Sequence, residues 1–250
     1  MKKVACFIFI LNYCVCSSQN RIIDSLTVFL NTAKEDSNKV IALYDISREL
    51  INVGEYDKAR ADLDKAIELS KKINFQKGIG VSYGYIGLVY QEQGNNNEAL
   101  NYFDLSLQIH KKSGNKKNIA SVYNYVGNSY RQLGNYPEAL RYYYMSLKIK
   151  EERGDKRGIA NSLSNIALIY DATHDLPAAL KKNAEALKIR KELNESYGMS
   201  ISYANIGNIY IQMKNYDLAV QNQLAALKIR KELGDKYGES NSYNSLSIIY

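Results

Sequence analysis

Along most of the chain, apolar and small residues return at i, i+3, i+4 and i+7, the spacing of one face of an α-helix. Tyr123, Val126, Gly127 and Tyr130 form one such set. A short polar break follows each set, and a second amphipathic run then begins. The pair of runs returns every 40 residues, without slip, over five copies. Alanine occupies 59, 99, 139, 179 and 219. An aromatic residue or leucine stands at Tyr83, Tyr123, Leu163, Tyr203 and Tyr243, with tyrosine seven residues later at 90, 130, 170, 210 and 250. A small residue comes three before that second tyrosine: Gly87, Gly127, Ala167, Gly207 and Ser247. A residue of that size lets a neighbouring helix approach closely. Aliphatic pairs such as Leu107/Ile109 and Leu147/Ile149 close each copy.

The breaks read "GEY", "GNN", "GNY", "HDL" and "KNY". Their second residues, Glu55, Asn95, Asn135, Asp175 and Asn215, are mostly good N-caps for a second helix. Glu98 and Glu138, three residues on, complete an N-x-x-E capping box in two copies. Pro137 and Pro177 fall in the first helical turn, where proline is tolerated. The second run stops at Asn74, Gly114, Gly154, Asn194 and Gly234, residue types that enter the left-handed region readily. Basic residues precede these stops, among them Lys111, Lys112, Lys148, Lys150, Lys188, Arg190, Lys191, Lys228, Arg230 and Lys231. There they complement the negative end of the helix dipole. Each copy is therefore expected to be two antiparallel helices. Such a pair cannot bury its apolar face alone and must stack on its neighbours, which makes the chain an all-α solenoid.

The pattern "YNYVGNSY" at 123–130, followed by Ala139 and Tyr143, resembles the signature of the tetratricopeptide repeat (TPR) family. Tyrosine or leucine replaces the usual tryptophan, the period is 40 rather than 34, and the closing proline is missing. The resemblance covers residues 38–250 and implies a right-handed TPR superhelix of stacked antiparallel helix pairs. Residues 38–237 are then five TPR copies, residues 19–37 a capping helix built on Ile22, Leu26, Phe29 and Leu30, and residues 238–250 the first helix of a sixth, incomplete copy. The whole also looks similar to the extracytoplasmic sensor half of bacterial TPR-containing signalling proteins. In those proteins a membrane helix and a histidine kinase, cyclase or DNA-binding output usually follow. The chain stops at Tyr250, mid-copy, which is expected of either a lone capping helix or a truncated piece.

The first residues, "MKKVACFIFILNYCVCSSQN", break the periodicity. Lys2 and Lys3 precede an apolar run and then the small residues Ser17 and Ser18, the layout of a secretory signal peptide over 1–18. This predicts export, to the periplasm or another extracytoplasmic space. Cys6, Cys14 and Cys16 all lie in this leader, so the mature chain would have no disulfide, thiolate nucleophile or cysteine metal site. Without Lys2 and Lys3 of the leader the net charge of +7 falls to +5, mild for this length, and the basic runs are interleaved with glutamate, so no nucleic-acid partner is expected. His110 and His174 are the only histidines and fall in different copies, so no metal is expected. No phosphate-binding loop, zinc-protease motif or nucleophile elbow occurs. The reading is of a protein without catalytic activity or cofactor.

Function is expected on the face of each first helix that turns away from the core. The candidate binding residues of this concave face are Tyr85, Asn124, Tyr125, Asn128, Gln132, Asn161, Asn165, Asn205, Asn208 and Gln212. Asparagine is a poor helix-interior residue, yet it recurs here. Its amide can both donate to and accept from a peptide backbone. Two readings stand open: a groove for an extended or helical polypeptide segment, or amides that bond adjacent copies together. Arg48, with Arg131 at the edge, is the only cation read onto this face, which argues against capture of a C-terminal carboxylate. The expected activity is protein–protein interaction, as the sensory part of a signalling system. A scaffold or assembly factor, or the regulatory half of a truncated signalling enzyme of histidine kinase or cyclase type, is the alternative. The expected partner is a protein or peptide, with a membrane-anchored signalling partner or a missing C-terminal domain to receive the signal.

Overall fold

The computed structural model describes residues 22–249. The leader at 1–18, its three cysteines and Tyr250 lie outside the described residues. Helices and turns make up everything described, and there is no strand among these residues. Helix α1 covers residues 22–32. It is followed by α2 (Ser37–Asn52), α3 (Tyr56–Lys72), α4 (Gln76–Glu92), α5 (Asn96–Lys112), α6 (Lys116–Gln132), α7 (Tyr136–Glu152), α8 (Lys156–Ala172), α9 (Leu176–Glu192), α10 (Ser196–Gln212), α11 (Tyr216–Leu233) and α12 (Lys236–Ser247).

The joints explain the regularity. Gly54, Asn74, Gly94, Gly114, Gly134, Gly154, His174, Asn194, Lys214 and Gly234 all have positive φ, between 51° and 81°. Each turns the chain through the left-handed region at the end of a helix. At α4, the Gly94 N–H donates to the Gln91 carbonyl and the Asn95 N–H to the Tyr90 carbonyl. The Asn95 side chain then accepts from the Glu98 N–H and opens α5. One residue thus closes one helix and caps the next. Asn135, Asp175 and Asn215 do the same for α7, α9 and α11. Asn115, Asp155 and Asp235 cap first helices in this way and Asp36 caps α2 by its side chain alone, whereas Glu55, Phe75 and Glu195 make no side-chain cap bond.

The expected capping boxes form only by half. The Asn95 and Asn135 N–H groups are spent on the Tyr90 and Tyr130 carbonyls, so nothing remains for Glu98 and Glu138 to accept. Those carboxylates accept instead from Asn101 and Arg141 of their own helices.

The chain divides into two compact units, the first running to Ser129 and the second beginning at Tyr130. In the first, Ile46, Leu50, Ala59, Leu63, Ile67, Ile86 and Val89 form a core against which Leu26 and Leu30 of α1 pack. In the second, Ala139, Tyr143, Leu147, Ala160, Leu163, Ile166, Ile169 and Ala186 do so. The repeated alanines are fully buried at all five positions. Gly87 shows why small residues recur one helix earlier: a Cβ there would meet Phe103 Cε1 at 2.4 Å. Tyr143 is buried in the core, Tyr142 stacks on Tyr130 at 5.6 Å beneath the Arg141 guanidinium, and the exposed Tyr144 shares a 3.1 Å hydrogen bond with Tyr170.

Candidate functional site

In the first compact unit, helices α2, α4, α5 and α6 border an open cavity of about 380 Å³. Tyr44, Tyr85 and Tyr125 wall it, Gly84 and Val122 line it, and Lys77, Lys117, Asn118 and His110 supply its polar surface. Tyr44 lies against Tyr85 at 6.1 Å between ring centroids, and Phe103 backs Tyr125 at 5.7 Å. Burial pushes the Tyr44 phenol up to about 12 and raises Tyr85 and Tyr125 too, so all three present neutral hydroxyls. Tyr85 and Tyr125 are therefore brought to one site, as the helical spacing predicts. The cations differ from expectation. Lys77 and Lys117 line this cavity although neither falls on the stripe counted for that face. Both lie in the first turn of a first helix, are exposed, and border the cavity on long flexible stems. The sequence reading of Arg48 as the only cation of this face with Arg131 at its edge is corrected accordingly. Arg48 itself is held by Asp45 and Glu49.

In the second compact unit the same face is amide-rich, and several of its amides are already engaged. Asn161 Oδ1 accepts from Arg190 at 3.1 Å, Asn205 donates to Asn183 at 3.5 Å, and Gln212 donates to Asp171 at 2.7 Å. Asn208 Oδ1 accepts from both Gln223 (2.7 Å) and Ser245 (3.2 Å). Asn183 and Gln223 are buried and occupy the place that Leu63, Phe103 and Tyr143 take in earlier copies. A buried amide must find partners, and the inner-face asparagines provide them. Asn124, Asn128 and Asn165 also have partners, and Gln132 is exposed.

A second set of functional-looking residues escaped sequence reading. Three of the basic residues assigned to helix dipoles are buried: Lys150, Arg190 and Arg230. Lys150 Nζ donates to Ser162 at 2.8 Å, Arg190 to Ser202 at 2.6 Å and Arg230 to Ser242 at 2.7 Å. Each ties the end of a second helix to the first helix that follows it. Burial holds the Lys150 ammonium and the Arg190 guanidinium below their usual pKa values. His110 occupies the equivalent position in its copy, but the matching serine is Val122. Its Nε2 lies 3.4 Å from Asn118 Nδ2, and its buried Nδ1 has no hydrogen-bond partner. Burial, and then Lys77, push its pKa down against a weaker upward pull from the Gly80 backbone, so the imidazole is neutral at pH 7.

No group of three or more metal-ligating side chains occurs among the described residues. No helix among them is long and apolar enough to cross a membrane.

Comparison with curated proteins gives no significant match. Among solved structures, BtubC from P. vanneervenii is similar, with 18% identity over 87% of this chain and 90% of that one, and a TM-score of 0.71. A Signal Transduction ATPase with Numerous Domains protein with a tetratricopeptide repeat sensor, from Pyrococcus horikoshii, is similar at 22% identity and a TM-score of 0.74. That match covers 91% of this chain but only 35% of the longer protein. A Rap protein complexed with competence and sporulation factor matches at 14% identity, over 93% of this chain and 70% of that one, with a TM-score of 0.68. These likenesses speak to the fold. A tetratricopeptide repeat profile matches residues 41–112, 78–152 and 118–192, and a second matches 201–233. The chain belongs to the tetratricopeptide repeat family.

Proposed function

We propose that the chain is a non-catalytic interaction module that holds a polypeptide segment on the inner face of its first helices, as the sensory part of a signalling system, after export through the leader at 1–18. The observation that carries this reading is the tyrosine-walled cavity of the first compact unit, set on the same helix face as the recurring amides. Aromatic rings supply contact area at low entropic cost, and amides pair with a peptide backbone. Asn208 keeps its NH2 group without a partner among the described residues, so part of its capacity is unspent. The similar Pyrococcus horikoshii protein carries a tetratricopeptide repeat sensor, and the similar Rap protein is complexed with competence and sporulation factor. A sensory role is in keeping with both.

The engaged amides Asn205 and Asn208 favour a second reading, a scaffold in which this face only joins helices. One experiment separates the two. A peptide display library is selected on the full chain, and the best synthetic peptide is titrated against wild type and against Asn128→Ala/Asn165→Ala/Asn208→Ala. The proposal expects a loss of affinity of at least about tenfold, from several hydrogen bonds removed together. Unchanged affinity with unchanged stability refutes it, and a fall in stability alone supports the scaffold. Export is tested by the intact mass of the protein from its own cells, expected below 28.4 kDa by one leader peptide.

A further inference from the structure

The cavity in the first compact unit arises where the repeat departs from its own pattern. The position of Gly84 carries Asn124, Ser164, Ala204 and Asn244 in later copies, so the side chain that would fill the space is missing. A Cβ at Gly84 would meet only Ser106 Oγ, at a tight 3.3 Å, so helix packing constrains this position far less than it does Gly87. Tyr85 and Tyr125 stand where later copies have Asn165, Asn205 and Ser245. Val122 stands where Ser162, Ser202 and Ser242 hold a basic group, which leaves His110 Nδ1 unpartnered at 1% exposure of its residue. A buried polar atom without a partner is costly, and here it belongs to a residue that lines a cavity. Lys77 and Lys117 have no ion-pair partner among the described residues.

From these features we infer that the cavity is an anchor pocket for a flat apolar side chain carried beside a carboxylate on the bound polypeptide. The inference rests on the polypeptide reading above and deepens it. The tyrosine walls accept a ring, and about 380 Å³ is room for one side chain rather than a folded element. The two ammonium groups at the polar side select an anion. The His110 imidazole, which lines the cavity, pairs with a backbone N–H through its bare nitrogen or with a carbonyl through its N–H, according to tautomer. A polypeptide offers both groups next to every side chain, and a free aromatic acid does not.

The test uses the full chain and probes of defined chemistry. The acetylated, amidated peptide Gly-Asp-Phe-Asp-Gly is titrated and followed by amide and imidazole NMR shifts. Controls are the same peptide with asparagine for aspartate, the same with alanine for phenylalanine, and phenylacetate alone. The expected result is saturable shifts at Gly84, Val122 and His110. Each peptide control should bind at least about fivefold more weakly, the scale of a few exposed charge pairs or one stacked ring. Lys77→Gln/Lys117→Gln, both at exposed positions, should remove the aspartate preference and leave the melting temperature unchanged. Absence of saturable shifts, or equal binding of the asparagine peptide, overturns the inference. Binding of phenylacetate without the peptide overturns its polypeptide source. A display-selected peptide that binds the inner face without shifting these three residues overturns the pocket while leaving the broader function intact.

Discussion

Gly87→Ala puts a number on the close packing of α4 against α5. The added Cβ would sit 2.4 Å from Cε1 and 2.6 Å from Cδ1 of Phe103, against an ordinary carbon–carbon contact of about 3.5–4.0 Å. Phe103 is fully buried and backed by Tyr125, so the ring cannot swing clear. Overpacking costs about 1–3 kcal/mol, and a contact this short on an immobile ring belongs in the upper half, about 2–3 kcal/mol; replacing a mid-helix glycine returns up to about 1 kcal/mol, so the net loss is at least about 1–2 kcal/mol. Phe103→Leu alone loses about 1–2 kcal/mol by emptying ring volume. In the double variant the methyl group enters that emptied space. Its loss should fall short of the sum of the two by more than about 1 kcal/mol. Gly84→Ala, three residues earlier on the same helix, meets only Ser106 Oγ, at 3.3 Å, and is the control, losing less than Gly87→Ala. Urea unfolding followed by circular dichroism gives the global numbers. Hydrogen exchange of α4 and α5 gives the local ones, since repeat arrays can open piecewise. Full stability of Gly87→Ala, or strict additivity with Phe103→Leu, would refute the steric reasoning.

Two further predictions concern titration and backbone. Burial lowers the His110 pKa in the fold below its unfolded value of about 6.5, so on acidification the unfolded chain takes up the proton first. The stability this residue permits is complete above that value and drains away as pH falls toward the folded pKa. The wild-type melting temperature should therefore drop more between about pH 7.5 and about pH 5.5 than that of His110→Gln; parallel pH profiles would count against a buried neutral imidazole. His174 and Lys214 hold φ of 59° and 58° where the other first-helix ends have glycine. His174→Gly and Lys214→Gly should each raise stability by up to about 1 kcal/mol, the left-handed strain relieved less the added freedom of the unfolded chain. Thermal melts of both variants check this, and a loss of stability in both would contradict it.

The helix pairs were legible because their ends are written in residues with few alternatives. Asn74 and Asn194 stand among glycines at left-handed positions, and both adopt φ above 50°. The buried alanines were legible for a similar reason, since nothing larger fits where two helices touch. Tyr85 and Tyr125 could be assigned to one face because helical spacing fixes direction. Lys77 and Lys117 could not, because a lysine stem spans more than a helical turn and its Cα position does not fix its ammonium. Burial of Lys150, Arg190 and Arg230 was hidden by their chemistry, as charged residues near a helix end already have a surface explanation. The signal that would have separated them is the serine twelve residues downstream in each case, and its replacement by Val122 after His110. The commitment of Asn205 and Asn208 depends on Asn183 and Gln223, which take a place that earlier copies give to apolar side chains.

From Tyr56 to Lys236, successive helices begin at 56, 76, 96, 116, 136, 156, 176, 196, 216 and 236. Because the residue before each of these helices donates its N–H to a carbonyl of the helix just closed, no joint has a spare residue to absorb an insertion or deletion. A change of length within a helix would rotate every side chain that follows it in that helix about the axis, by about 100° for one residue. Exchange between equivalent positions of two copies, by contrast, rebuilds an intact joint at the seam. Such an array is tolerant of recombination and intolerant of frame-preserving slips. Its copy number can change by unequal crossing-over while each copy diversifies only by substitution, and Gly84, Val122 and Asn183 are substitutions of that kind.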